Sequence, residues 1–180
     1  HRGRSSSYDG ELGGGQGALV SAGPAARRPH EPGQLLLERR AVVDLPYASG
    51  VWRYHELILP DLPAATVATL REGNTPLHAH PKVNRYIGAE QVWVKHEGEN
   101  PTLSFKDRGM TAGMTQAVRI GARAVACAST GNTAASLAAY AAQAGLPALV
   151  LVPSGRTAAG KLAQTLAYGA RTLAVRGDFD

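Results

Sequence analysis

The sequence predicts an α/β fold in which a parallel β-sheet is flanked by helices. Three apolar runs without polar alternation are typical of buried strands: AVACAS (124–129), ALVLV (148–152) and RTLAV (171–175). Helical patterns separate them, and strands that alternate with helices form parallel sheets. We therefore expect a sheet covered on both faces, with ligands bound at the carboxyl ends of its strands.

The other elements follow from helix stop signals and local composition. Residues 64–71 predict a helix, and QVWVK (91–95) predicts an earlier strand. A loop to about Leu103 leads into a helix that continues to Ile120 and stops at Gly121. Two further helices are predicted, Asn132–Ala144 before Gly145 and 157–168 before Gly169.

Composition excludes several classes of protein. The net charge is +5, but the 19 basic residues are scattered, which argues against nucleic-acid binding. No apolar stretch is long enough to span a membrane, and we expect a cytoplasmic protein. The single cysteine, Cys127, lies in an apolar run and is predicted to be buried and unreactive.

Lys106 is the most informative residue of the chain. It lies in HEGENPTLSFKDRGM (96–110), a turn-rich segment that opens directly into a helical pattern. A lysine at a helix start is poorly placed for an ordinary salt bridge, because the positive end of the helix dipole lies there. The same position favours the neutral form of the amine, and a neutral amine can attack a carbonyl. The placement is therefore typical of a lysine that forms a Schiff base.

A second candidate site is STGNT (129–133), between a buried strand and an alanine-rich helix. Backbone N–H groups at a helix start can bind a carboxylate or a phosphate. A plain helix cap by Thr130 or Asn132 is the alternative. The position at the carboxyl end of a strand favours ligand binding.

Two other motifs carry weaker signals. GRTAAGK (155–161) fits the pattern G-x-x-x-x-G-K of a nucleotide-binding P-loop, but Leu162 replaces the Ser or Thr that would hold magnesium. EGNTPL (72–77) has the composition of a turn. His78 and His80 follow it without a clear third ligand, which is typical of surface histidines, and no metal site is predicted.

Together these segments resemble the threonine synthases, which are pyridoxal-phosphate (PLP) enzymes of fold type II, similar to the tryptophan synthase β subunit. The resemblance rests on five segments in the family's order: GVWRYHELILP (50–60), EGNTPL, VWVKHEGENPTLSFKDRGM (92–110), STGNTAASLAAYAA (129–142) and GKLAQTLAYGAR (160–171). They cover most of residues 50–180. The resemblance implies the cofactor PLP.

The resemblance also implies roles for individual residues. Lys106 would form the Schiff base with PLP and then move substrate protons, and Phe105 would pack near the cofactor ring. Asn132 would hydrogen-bond the 3′-oxygen of PLP. The implied reaction converts O-phospho-L-homoserine and water to L-threonine and phosphate.

Substrate binding is implied for four further residues. Ser129, Thr130 and Thr133 would hold the α-carboxylate of the amino acid, which agrees with the helix-start argument. Lys161 is the candidate for the substrate phosphate.

The chain departs from the family pattern in three places. Leu103 stands where many relatives have glycine, and Glu99 puts a charge near the mouth of the site. The sequence stops at Asp180, before the glycine-rich loop for the PLP phosphate and the partner of the pyridine nitrogen. The chain therefore looks truncated, and we expect it to be incomplete at the C-terminus and weak in holding the cofactor alone.

Three segments are expected along the chain. Residues 1–34, with Ser and Gly triplets and no apolar periodicity, predict a loose arm. Residues 35–121 would belong to the large PLP-binding domain and residues 122–180 to part of a smaller α/β domain.

Several alternatives remain open. A serine/threonine dehydratase or a sulfhydrylase would keep PLP and change the reaction. The other hypotheses are a P-loop nucleotide-binding protein and a noncatalytic truncated product. The resemblance implies a small-molecule substrate and a homodimer.

Overall fold

A computed structural model describes residues 37–154 and 159–177, which form two separate sheets and the helices around them. The predicted arm, residues 1–34, lies outside the described residues. The helices that position the site are α1 (His55–Ile58), α2 (Pro81–Ile87), α3 (Lys106–Arg119), α4 (Asn132–Ala144) and α5 (Ala159–Ala167). The strands are β1 (Leu77–Ala79), β2 (Trp93–Lys95), β3 (Val125–Ala128), β4 (Ala148–Pro153) and β5 (Arg171–Val175).

The predicted parallel sheet is confirmed as β3-β4-β5, with both neighbouring pairs parallel. Helix α4 was predicted with the bounds it has, and Gly145 ends it in the left-handed conformation, with φ at 68°. The described part of α5 lies within the predicted range 157–168, while residues 155–158 are not described.

The expectation that helices cover both faces of this sheet is wrong for the described residues. Helix α4 packs against β3 and β4 and also contacts α3 and α5. The opposite face exposes the side chains of Leu149, Leu173 and Val175. Strand order follows chain order, so right-handed crossovers run in one direction and place α4 and α5 on the same side.

The predicted strand at 91–95 forms, but it does not join the parallel sheet. Its core, β2, pairs antiparallel with β1, and the sequence did not predict β1 as a strand. All six residues of this two-stranded ribbon are exposed. A strand this short, following a turn, shows too little periodicity to be recognised from sequence.

The helix predicted at 64–71 is wrong, because only a 3₁₀ turn at Ala64–Thr66 forms. The chain then runs extended and is bound to α3. Thr115 accepts a hydrogen bond from the backbone N–H of Ala68 (3.0 Å), and the Thr111 hydroxyl donates to its carbonyl (2.7 Å). These tertiary hydrogen bonds outweigh a local helix preference that Thr66 and Val67 already weaken.

The hydrophobic core lies between α3, α4 and the parallel sheet. It contains Met114 of α3, Tyr140 of α4 and Val150 of β4, and these side chains are almost fully buried. Trp52 is also buried and its indole N–H donates to Thr111 at 2.7 Å. The core thus holds α3 and α4 side by side, which fixes the starts of both helices relative to each other.

No helix among the described residues combines the length and the apolar character needed to cross a membrane.

Candidate active site

Lys106 is the first residue of helix α3, as the sequence predicted. Its backbone N–H donates to the Ser104 hydroxyl at 3.2 Å, which satisfies one of the open donors at the helix start. Its ammonium group lies 5.0 Å from the centre of the Phe105 ring, and among the described residues it forms no salt bridge. Both side chains are exposed. The amine is therefore accessible to a ligand.

Asp107, the next residue, fastens the start of α3 to α4. This carboxylate is completely buried and accepts hydrogen bonds from the backbone N–H of Thr102 (2.7 Å) and from its hydroxyl (2.6 Å). The Ser136 hydroxyl of α4 donates to the same carboxylate at 2.6 Å. Hydrogen bonds to a buried carboxylate are stronger than neutral ones. Asp107 therefore holds the lysine-bearing loop against the first turns of α4.

Asn132 is the first residue of α4, one turn before Ser136. Residues four apart lie on one face of a helix, so Asn132 belongs to the face that meets Asp107. The side chains of Asn132, Thr130 and Thr133 are half-buried and form no hydrogen bond with another described residue. Their polar groups are thus available to a ligand at the start of this helix.

Ser129 lies at the carboxyl end of β3, where it was predicted to lie. Its backbone N–H donates to Leu151 of the neighbouring strand at 3.1 Å. Its hydroxyl accepts from the N–H of Gly131 at 3.3 Å, so it orders the turn between β3 and α4. The structure therefore brings Ser129, Thr130, Asn132 and Thr133 together in one strand-to-helix junction.

Lys161 connects helix α5 to the same loop. Its ammonium group donates to the carbonyl of Thr102 at 3.3 Å and to the Gln164 side chain at 3.1 Å. Gly160 and Lys161 are the second and third residues of the described part of α5, and residues 155–158 before them are not described. Thr102 is thus contacted from both α3 and α5.

The EGNTPL turn supports this loop from the other side. Gly73 donates its N–H to the Asn100 side chain at 2.9 Å, and Asn100 donates to the Glu97 carbonyl at 2.8 Å. Arg108 donates two hydrogen bonds to the Glu97 carboxylate, at 2.6 and 2.7 Å, and Thr75 adds a third at 2.8 Å. Arg108 is the main reason that the pKa of Glu97 falls to about 2.

Replacing Glu97 with glutamine is expected to lower the free energy of unfolding by about 1 kcal/mol, because a partly exposed bidentate ion pair is lost. The measurement is urea unfolding at pH 7 in the presence of a chelator. Glu90→Gln is the matched control, since that exposed side chain forms no ion pair with another described residue. Equal midpoints for the two variants would show that the pair does not stabilise the turn.

Leu103 adopts the left-handed conformation, with φ at 64° and its side chain 67% exposed. A side chain with a Cβ is strained in this conformation, whereas glycine is not. The structure therefore explains why glycine would suit this position, where the sequence differs from the pattern of the family it resembles.

Leu103→Gly is expected to stabilise the protein by about 0.5–1 kcal/mol, because relief of strain exceeds the entropy that glycine adds to the unfolded chain. Thermal unfolding of the variant beside wild type measures the change. The exposed Leu57→Gly substitution in α1 serves as the control, since it should destabilise. A lower melting temperature for Leu103→Gly would contradict the strain argument.

Glu72 is a second buried carboxylate, and sequence reasoning did not single it out. It is fully buried and accepts from the Ser49 hydroxyl (2.5 Å), from the Thr69 hydroxyl (3.0 Å), from the N–H of Leu70 (3.0 Å) and from the Tyr140 hydroxyl (2.7 Å). Burial, together with the Glu72 charge, raises the pKa of Tyr140. The available signal in the sequence was that an acidic residue, Glu72, opens the EGNTPL turn, although a turn does not require a buried acid.

Asp107 and Ser136 were also missed. An acidic residue in the first turn of a helix is favourable for the dipole alone, so Asp107 carried no separate signal. Ser136 is a polar residue on the buried face of an alanine-rich helix, and that was the available signal in the sequence.

Cys127 is half-buried against the core, and burial raises the pKa of its thiol, which agrees with an unreactive cysteine.

Comparison with known proteins identifies the family. Residues 68–180 match the family described as pyridoxal-phosphate dependent enzyme. The threonine synthase of Methanosarcina acetivorans is 51% identical over 131 residues, which are 73% of this chain and 32% of that protein. The threonine synthase of Synechocystis is 45% identical over 167 residues, 90% of this chain and 44% of that protein. The chain thus spans less than half the length of these curated relatives.

Solved structures agree on the fold. A PLP-dependent aspartate racemase is 29% identical with a TM-score of 0.52, covering 57% of this chain and 33% of that one. Maize serine racemase reaches a TM-score of 0.57 at 22% identity, covering 74% of this chain and 38% of that one. The fold predicted from the sequence, an α/β fold of PLP enzymes of fold type II, is confirmed. The chain belongs to the family of pyridoxal-phosphate dependent enzymes, whose cofactor is PLP.

Proposed function

We propose that this chain is part of a threonine synthase, which converts O-phospho-L-homoserine and water to L-threonine and phosphate. The observation that carries the proposal is that the starts of α3 and α4 converge with Lys161 of α5. Asp107 joins the start of α3 to α4, and Lys161 joins α5 to the loop before Lys106. The curated relatives, threonine synthases at 44–54% identity, support this reaction over others of the family.

The residues at this place fit PLP. Lys106 offers an exposed amine without a salt-bridge partner among the described residues, and would hold the cofactor covalently through Nζ. Asn132, whose amide has no hydrogen-bond partner among the described residues, would bind the 3′-oxygen of the ring. Phe105 is 57% exposed beside Lys106, and would pack against the ring.

PLP supplies an electron sink that stabilises negative charge at the substrate's α-carbon. Lys106 would supply the proton transfers. Its Nζ would accept a proton from Cα of O-phospho-L-homoserine and then one from Cβ, and the loss from Cβ expels the γ-phosphate. It would return protons to Cγ and Cα, and water adds at Cβ. One amine can serve both as base and as acid because these transfers follow one another. Asp107 would position it by fixing the first turn of α3.

The substrate's two anionic groups match two features of the site. The α-carboxylate would bind at the start of α4, where the hydroxyls of Ser129, Thr130 and Thr133 lie beside open backbone N–H groups. The phosphate would lie near Lys161, whose ammonium group reaches the loop before Lys106. O-Phospho-L-homoserine has a phosphate that can bind the ammonium group of Lys161, whereas serine and threonine have no phosphate.

The test is an assay of the purified full-length protein that contains this chain, with PLP and O-phospho-L-homoserine, which measures phosphate release and threonine by chromatography. We expect phosphate and threonine in equal amounts, and no 2-oxo acid from serine or threonine. Lys161→Ala should raise the KM for O-phospho-L-homoserine more than it lowers kcat, because it removes binding to the leaving group.

Three results would contradict the proposal. Formation of 2-oxo acid and ammonia from threonine would indicate a dehydratase, and consumption of sulfide would indicate a sulfhydrylase. Loss of threonine formation with an unchanged KM in Lys161→Ala would remove this lysine from phosphate binding. The same measurement on Lys82→Ala, an exposed lysine of α2, controls for charge alone.

The division of the chain at residues 121 and 122, the homodimer and the cytoplasmic location stay predictions. Core residues come from both sides of that boundary, with Met114 before it and Tyr140 and Val150 after it. Any domain boundary here would therefore cross a packed core.

A further inference from the structure

The β1-β2 ribbon collects histidines on one of its faces. Residues two apart in a strand point to the same side, so His78 and His80 share a face. His78 pairs with Val94 on the neighbouring strand, and His96 follows two residues later. A hydrogen bond from the backbone N–H of His96 to the carbonyl of Pro76 (3.0 Å) continues the ladder. His96 is therefore the diagonal neighbour of His78 on that face.

The side chains confirm this arrangement. The ring centres of His78 and His96 are 6.1 Å apart, and those of His78 and His80 are 5.8 Å apart. The 3₁₀ turn Glu97–Glu99 then brings the carboxylate of Glu99 back to His96, where Oε1 lies 2.9 Å from Nδ1. One ligand atom each from His78, His96 and Glu99 lies within 4.8 Å of the other two.

We propose that His78, His96 and Glu99 bind a divalent transition-metal ion of the zinc type. Two imidazole nitrogens and one carboxylate form a ligand set that zinc accepts, with water in the fourth position. Zinc–ligand bonds of about 2.0–2.1 Å place tetrahedral ligand atoms about 3.3 Å apart, so the three atoms must close by about 1.5 Å at most. All three side chains are exposed and can rotate to do so.

The structure supplies the third ligand that the sequence lacked. His78 and His80 alone did not indicate a metal, because Glu99 and His96 are separated from them by α2 and β2. Among the described residues, these three histidine and carboxylate side chains have ligand atoms close enough together to hold one metal ion. None of its three residues is among those assigned to PLP or to the substrate, and the proposal does not depend on the reaction proposed above.

Metal binding would cross-link three segments: β1, the end of β2 and the 3₁₀ turn. The same turn carries Glu97, which binds Arg108 of α3, and it precedes Asn100, which binds Gly73. An occupied site would therefore restrain the ribbon relative to α3 and stabilise the folded protein, since the ion binds the folded ligand set.

The experiment treats the purified protein with a chelator, removes the chelator, and titrates Zn²⁺ by isothermal calorimetry at pH 7.5. We expect one ion per chain, and a Kd that rises about tenfold or more in His78→Asn and in Glu99→Gln. His55→Asn and Glu90→Gln are the matched controls, and both should bind as wild type does. His55 lies near Trp52 and outside the cluster.

A second measurement keeps the test independent of calorimetry. Zn²⁺ should raise the melting temperature of wild type and of both controls, and leave that of His78→Asn and Glu99→Gln unchanged. X-ray absorption should report nitrogen and oxygen ligands without sulfur. Binding that is equal in wild type, His78→Asn and Glu99→Gln, or an absence of binding to wild type, would overturn the proposal.

Discussion

Lys106→Ala is expected to abolish cofactor attachment and to lower kcat for threonine formation by at least about 10³-fold. The reason is that one amine would both hold PLP and move the substrate protons, and loss of a positioned acid–base group alone costs about 10²–10⁴ in rate. The measurement is borohydride reduction of the PLP-treated full-length protein that contains this chain, followed by peptide mass spectrometry and a phosphate-release assay.

Wild type should carry reduced PLP on the peptide that contains Lys106, and the variant should carry none. Lys82→Ala, which removes an exposed lysine on α2, should keep both the label and the activity. A label on a different lysine in wild type, or full activity in Lys106→Ala, would remove Lys106 from the reaction. An unchanged circular dichroism spectrum excludes misfolding, and we expect one because the side chain is exposed.

Glu72→Ala is expected to lower the free energy of unfolding by about 3 kcal/mol. The substitution leaves the buried Tyr140 and Thr69 hydroxyls and the half-buried N–H of Leu70 without an acceptor, and each unsatisfied buried donor costs about 1–3 kcal/mol. Relief from burying a charge offsets part of that cost. Urea unfolding at pH 7, followed by tryptophan fluorescence, measures the change because Trp52 is buried in the same core region.

A double-mutant cycle with Tyr140→Phe tests whether the two groups act together. Tyr140→Phe alone should cost about 1 kcal/mol, and its cost should nearly vanish when Glu72 is already alanine. Glu90→Ala, an exposed substitution, gives the baseline. Additive costs would mean that Tyr140 does not depend on Glu72, and a loss below about 1 kcal/mol for Glu72→Ala would contradict the role of the buried carboxylate.

Local patterns were sufficient for much of the fold. Helix α4 begins after a glycine-containing turn and ends at Gly145, and both signals lie within the segment itself. The same is true of β5 and of the helix start at Lys106. The parallel sheet followed from apolar runs that alternate with helices. Elements fixed by their own residues were therefore predictable.

Features fixed by distant residues were not predictable. Tyr140 reaches Glu72 across 68 residues and Lys161 reaches Thr102 across 59, and no local spacing reveals such pairs. The segment after Ala64–Thr66 was wrongly predicted as helix because its backbone is bound by Thr111 and Thr115 of α3. The ligand cluster at His78 likewise depends on a strand pairing that the sequence did not predict.

The hydrogen bond between Asp107 and Ser136 has a mechanical consequence. It ties the beginnings of two long helices that share a packed core, so these beginnings behave as one rigid body. A movement that widened the gap between Lys106 and Asn132 would have to expose a carboxylate that is now fully enclosed. The spacing between the first residues of these two helices, Lys106 and Asn132, is therefore set by the fold itself, before any ligand arrives.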